Sequence, residues 1–125
     1  MANIRPFRAV RPTRDKVSLV ASRSYLSYSE EILIEKLEHN PYTFLHIINP
    51  DYSEKKVEIK GKAKYLLVKS KFDNFQKEGV FIEDEKPTLY LYQQQKEEVI
   101  FTGIICAISV DDYLNGEVKI HEQTI

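Results

Sequence analysis

The residue types best suited to chemistry lie at the end of the sequence, where His121, Glu122 and Thr124 stand together. An imidazole transfers protons near neutral pH, a carboxylate orients it or holds a metal, and a hydroxyl binds phosphate. His121 and Glu122 are therefore the candidate catalytic pair and Thr124 the candidate phosphate contact. Three polar residues close together at a terminus are, however, usually just a polar terminus, and spacing alone favours that reading. The second candidate is the basic opening. All five arginines fall within residues 1–23, where Arg5, Arg8, Arg11, Arg14, Arg23 and Lys16 face one acid, Asp15, for a charge of +5. The other 102 residues then carry −6 of the net −1. Arginine presents a planar fork that pairs bidentately with carboxylate or phosphate. Arg11 and Arg14 are accordingly the candidate anion contacts. The plainer reading of the same residues is a solvated basic arm that balances an acidic body; the sharper one is an anion site or an interface. The acidic body argues against nucleic-acid binding by the whole protein.

Other reactive residues read more plainly as structure. His39 stands near the end of an expected helix, where a cation suits the dipole. His46 lies in the apolar run TFLHII and reads as a hydrogen-bonded core or edge residue. Asp111 and Asp112 read as a solvated turn, with cation binding as the other reading. Tyr90 and Tyr92 share one face of a strand, but their neighbours Gln93, Gln94, Glu97 and Glu98 are not the basic groove a single-stranded nucleic acid needs. Core packing or an interface fits them better. The sequence has no glycine-rich phosphate loop, no Cys-x-x-Cys pair and no His-Glu-x-x-His helix. No metal site is read from it.

The elements that position these groups follow from periodicity. Pro6 and Pro12 keep residues 1–15 extended, with Ile4, Phe7 and Val10 as apolar pins. Alternation in 16–21 (KVSLVA) predicts a short strand. Ser27 or Ser29 N-caps a helix over 29–39. Glu30 and Glu31 suit its positive end, Ile32, Leu33, Ile34 and Leu37 form its apolar face, and Asn40-Pro41 closes it. Residues 43–48 (TFLHII) predict a strand buried on both faces, and 51–62 a loop or frayed helix start. Tyr65, Val68, Phe72 and Phe75 step by three and four, which predicts an amphipathic helix over 61–78 ended by Gly79. Residues 89–93 and 99–110 predict a β-hairpin, in which Gly103 marks a bulge or close approach. Asp111 to Gly116 reads as an Asn-Gly turn, and 117–121 as a further strand. The expected fold is α+β: two main helices on one mixed, largely antiparallel sheet of about four to six strands, in a single domain over 1–125.

Composition sets the outer limits. With 125 residues, 42% hydrophobic, and 14 Phe and Tyr in total, the chain is long enough to bury a core and too apolar for wholesale disorder. Four Gly and five Pro exclude collagen-like and low-complexity classes. The longest apolar run, 99–110, is far short of the ~20 residues of a membrane helix, and the opening has no signal-peptide core. The single Cys106, in an apolar run, reads as a buried, reduced thiol in a cytoplasmic protein.

The segments 4–17 (IRPFRAVRPTRDKV), 40–50 (NPYTFLHIINP), 75–94 (FQKEGVFIEDEKPTLYLYQQ) and 101–124 (FTGIICAISVDDYLNGEVKIHEQT) resemble the N-terminal part of a large uncharacterised bacterial family, domain of unknown function 1015. Members are usually several times longer and carry a later Asp-Gly-His-His-Arg motif that has no counterpart here. Many also carry a Pro-Pro-Tyr-Asp-like segment where this chain has 20–28 (VASRSYLSY). The resemblance implies a fragment or truncated product. The His-His-Arg motif is similar to one in ParB-like proteins, some of which are nucleotide-dependent serine kinases. By that analogy complete members do nucleotide- or phosphate-dependent small-molecule chemistry, with nucleotide and Mg as cofactors. Thr124 would then contact phosphate, Glu122 would sit near a metal or act as base, and Arg11 and Arg14 would add anion contacts. The implied partner is a nucleotide or phosphorylated small molecule, and the chain alone would be inactive. The alternative is a non-catalytic binding or oligomerisation module acting as a homo-oligomer.

Overall fold

The computed structural model describes residues 1–51 and 59–119. It is α+β, with β1 (Ile4–Arg5), β2 (Val10–Pro12), α1 (Val17–Val20), a 3₁₀ turn (Tyr25–Ser27), α2 (Glu30–His39), α3 (Leu45–Ile48), α4 (Lys62–Lys77), β3 (Phe81–Glu83), β4 (Tyr90–Lys96), β5 (Val99–Ile105), β6 (Ala107–Ile108) and α5 (Val110–Leu114). The strands form three two-stranded pairs, β1 with β6, β2 with β3 and β4 with β5, where one larger sheet was expected. Pro6 and Pro12 remove ladder donors at both N-terminal strands, which keeps these at two and three residues. The chain divides into two compact units, Val10–Ile82 and a second one formed by Met1–Ala9 with the segment from Glu83 onward.

The Val10–Ile82 unit holds the core. Val20, Ile47, Phe75, Val80 and Phe81 are buried together, with Val10, Tyr42, Val68 and Phe72 packed against them. Phe81 is the hub: its ring lies 5.3 Å edge-on from Phe75, 5.7 Å from Phe72 and 6.4 Å from Phe44. On α4 the periodic stripe holds from Val68 to Phe75, whereas Tyr65, at the first turn, is 76% exposed. Gly79 adopts φ 71°, as its place after the helix requires. On α2 Ser29 is the cap, its Oγ accepting from the Ile32 N–H at 3.3 Å, and the helix buries Leu37.

Two expected strands in this unit are short helices. Residues 17–20 turn because the Thr13 carbonyl accepts from the N–H groups of Lys16 and Val17 at 3.0 and 2.9 Å. The far end of α1 is then satisfied by its neighbours, since Asn40 Nδ2 donates to the Leu19 carbonyl at 2.7 Å and the Phe44 N–H to that of Val20 at 3.0 Å. Residues 45–48 are helical for a similar reason. Asn40 Oδ1 accepts from the Tyr42 N–H at 3.0 Å, and the Thr43 carbonyl accepts from the His46 N–H at 3.1 Å. Local side-chain bonds of this kind compete with a ladder and win over β-propensity in a run of four.

In the other unit, β1 pairs antiparallel with β6, Ile4 facing Ile108 and Arg5 facing Ala107. Phe7 and Thr88 exchange both backbone bonds, at 3.2 and 2.9 Å. Tyr90 ties the unit together. Its hydroxyl donates to Asp84 Oδ2 at 2.5 Å and accepts from the Ala9 N–H at 2.9 Å, and its ring lies 5.2 Å from Phe7. The hairpin runs from Tyr90 facing Ile105 to Lys96 facing Val99, with Glu97 and Glu98 as a two-residue turn; its first strand extends beyond the expected 93, and its second ends at 105 rather than 110. Gly103 stays in register opposite Tyr92 and makes no bulge. Residues 110–114 are helical where a turn was expected, because Asp111 and Asp112 favour a helix start and Asn115-Gly116, with Gly116 at φ 75°, serves as its stop. Residues 117–119 are in no strand, and 120–121 lie outside the described residues.

Candidate functional site

The pairing of β1 with β6 places the third and fifth residues of the chain beside residues 107–109. Between them lies a cleft of about 300 Å³ lined by Asn3, Arg5, Ala107, Ile108 and Ser109. Arg5 is exposed, and its Nε meets Asn3 Oδ1 at a long 3.4 Å. A bond of that length holds the guanidinium only loosely. The Asn3 backbone is fixed more firmly, its N–H donating to Asp112 Oδ2 at 2.6 Å. The N-terminus is anchored on the same side by an ion pair with Glu117 at 3.1 Å. The cleft thus offers a guanidinium fork, a side-chain amide and a hydroxyl on a partly apolar floor. Such a donor set suits a carboxylate or phosphate group. Its volume is at the lower end for ligand sites, enough for one small anionic group.

Of the residues expected to do chemistry, His121, Glu122 and Thr124 lie outside the described residues. Arg11 sits exposed in β2 and Arg14 exposed in the turn that follows, both in the Val10–Ile82 unit, and neither lines the Arg5 cleft. Beside Arg14, the Asp15 carboxyl is held below the usual carboxylate value, first by the neighbouring Thr13 side chain and also by Lys16 at 3.7 Å. Arg8 is structural: its Nε donates to the Asp84 carbonyl at 2.7 Å and its fork pairs with Glu83 at 3.4 Å.

The two described histidines carry ordinary hydrogen bonds. His39 Nδ1 is 2.9 Å from the Glu35 carbonyl on α2, and His46 Nε2 is 2.9 Å from the Asn40 carbonyl, on α3 rather than a strand. Cys106 is half-buried instead of fully enclosed, because it sits at the break between β5 and β6. Among the described residues no group of three or more His, Cys, Asp or Glu could hold a metal ion, and no helix is long and apolar enough to cross a membrane. Sequence reasoning missed the set of Asn3, Arg5 and Ser109. The signal available was the apolar pin Ile4 beside Arg5, which marks a strand in need of a partner.

A family model described as a protein of unknown function, DUF1015, matches residues 4–125. The chain belongs to that family. The match begins at Ile4, so it takes in β1 and Arg5 and every element that builds the cleft except Asn3. No curated protein and no solved structure matches this DUF1015 chain.

Proposed function

We propose that this DUF1015 chain binds the anionic group of a nucleotide or phosphorylated small molecule and contributes that contact to phosphate-dependent, kinase-like chemistry, without turning over substrate alone. The observation that carries the reading is the cleft at Asn3, Arg5 and Ser109. Arg5 supplies two parallel N–H groups to a phosphate or carboxylate edge, and the Ser109 hydroxyl and Asn3 amide supply single bonds. A nucleoside would extend past a space of about 300 Å³, so the cleft receives the charged end of the ligand. Kinship with ParB-like kinases, a bacterial and cytoplasmic setting, and use of a nucleotide with Mg remain part of this proposal. The described residues include no such metal group, and no step is assigned to one.

Titration calorimetry with inorganic phosphate, ADP and ATP tests the reading. Wild-type chain should bind at least one of them, and Arg5→Ala should weaken that binding roughly 10- to 100-fold, the loss of one charge-assisted contact. Arg5→Lys, which keeps charge but loses the fork, should fall between them. Equal affinity in all three proteins would remove the cleft from the function. The second reading, a non-catalytic binding or oligomerisation module, is favoured by the exposed apolar β4–β5 hairpin.

A further inference from the structure

The β4–β5 hairpin carries a feature the anion cleft does not use. Every residue of β5 is exposed, although five of its seven are Val, Ile or Phe. Ile100, Phe101 and Ile104 are 60%, 61% and 67% exposed, and Leu91 on β4 is 72% exposed. Apolar groups stand on both faces: Leu91 and Ile104 on one, Tyr92, Phe101 and Ile105 on the other. A two-stranded ribbon left uncovered in this way is marginal in water. The outer edge of β5 is equally open. Among the described residues β5 pairs with β4 alone, and its sequence, VIFTGII, has none of the lysines, charges or prolines that normally blunt an edge.

We infer that β5 pairs edge to edge with β5 of a second copy of this chain. The register of the hairpin selects the geometry. With a two-residue turn, the alternation of an antiparallel ladder directs the backbone groups of Val99, Phe101, Gly103 and Ile105 toward β4, and those of Ile100, Thr102 and Ile104 outward. Antiparallel pairing about a two-fold axis at Thr102 then sets Thr102 against itself, Ile100 against Ile104 and Phe101 against Gly103. Each outward group meets another outward group, and the bulky Phe101 meets the residue that leaves room for it. Like charges are absent from every pair. A two-fold contact of this kind is closed, so it stops at a dimer with sheet order β4-β5-β5-β4. Pairing raises the ribbon from two strands to four, and a sheet needs three or more to be stable on its own.

Sedimentation velocity on the whole chain reads the outcome. Wild type should run at twice 14.6 kDa at high concentration, and Ile104→Lys, which sets a charge on the pairing edge, should run as a folded monomer by circular dichroism. Register is read independently by a disulfide in a Cys106→Ser background. Thr102→Cys should cross-link in air, because Cα atoms in such a pair are ~5.5 Å apart and disulfides need 4.4–6.8 Å. Leu91→Cys, three strand spacings (~14 Å) across and offset along the strand from its mate, should not. A monomer at all concentrations would overturn the inference. So would a dimer unmoved by Ile104→Lys, or one cross-linking at Leu91→Cys and not at Thr102→Cys. Phosphate binding plays no part in these readouts, so failure here leaves the Arg5 cleft standing.

Discussion

The Val10–Ile82 unit and the β4–β5 hairpin are built from similar residues and treat them in opposite ways. In the first, Phe72, Phe75 and Phe81 meet ring to ring and Leu45 has no exposed surface at all. In the second, Phe101, Ile100, Ile104 and Leu91 all face water. Hydrophobicity records a demand for burial, and the partner that meets it need not lie in the same unit. In 10–82 helices fold back to supply that partner. A ribbon of two strands has two faces and two edges and cannot cover any of them by itself.

The contrast is broken or sharpened by substitution. Phe75→Ala should have the largest effect, about 3–5 kcal/mol, since it leaves a cavity beside Phe81 that the α4 backbone cannot close. Urea unfolding followed by circular dichroism would show it, and a loss under 1 kcal/mol would mean the core is not where the rings meet. Ser29→Ala should cost about 1 kcal/mol by removing the side-chain cap at the start of α2. Glu97→Gly should move stability the other way. Glu97 holds φ 55° in the hairpin turn, a conformation that costs a side-chain-bearing residue about 1 kcal/mol and glycine almost nothing. Amide exchange across 90–105 should slow, and faster exchange would show that the carboxylate, not the backbone, sets the turn. Leu91→Ser should change the unfolding midpoint least among the apolar truncations, by under about 0.5 kcal/mol, because its side chain is already in water. A drop like that of Phe75→Ala would show the hairpin to be covered.

The smallest effect is one of pH. The folded-state pKa of Asp15 lies below its ordinary value of 3.8, so its contribution is present above that value and is lost as pH falls through the folded pKa. Asp15→Asn should lower stability slightly at neutral pH and flatten the acid limb, so that the two curves meet below the folded pKa. Equal acid limbs in both proteins would remove the Thr13 contact as its cause.

What the residues announced in advance depended on how local the signal was. The helix 62–77, its Gly79 stop, the Ser29 cap and the hairpin all rest on contacts within a few positions, and all appear. The segments 17–20 and 45–48 did not, because their helical state is fixed by Thr13, Asn40 and Phe44, which periodicity does not weigh. The sheet was misjudged for a longer-range reason. Strand pairing by β1 and β6 spans most of the chain, and neither segment carries a signal of which partner it takes. The Arg5 cleft, made by that pairing, was hidden with it, whereas Arg11 and Arg14 stood out only as part of a charged run.

The discontinuity of the unit that contains Met1–Ala9 fixes an order of events during synthesis. Residues 10–82 leave the ribosome as a complete unit while Met1–Ala9 has nothing to join. At ~5–20 residues per second, the interval between Ile4 and its mate Ile108 is roughly 5–20 s. Through that interval Ile4 and Arg5 lack their β6 partners, and the cleft that contains Arg5 cannot form before residues 107–109 have been made.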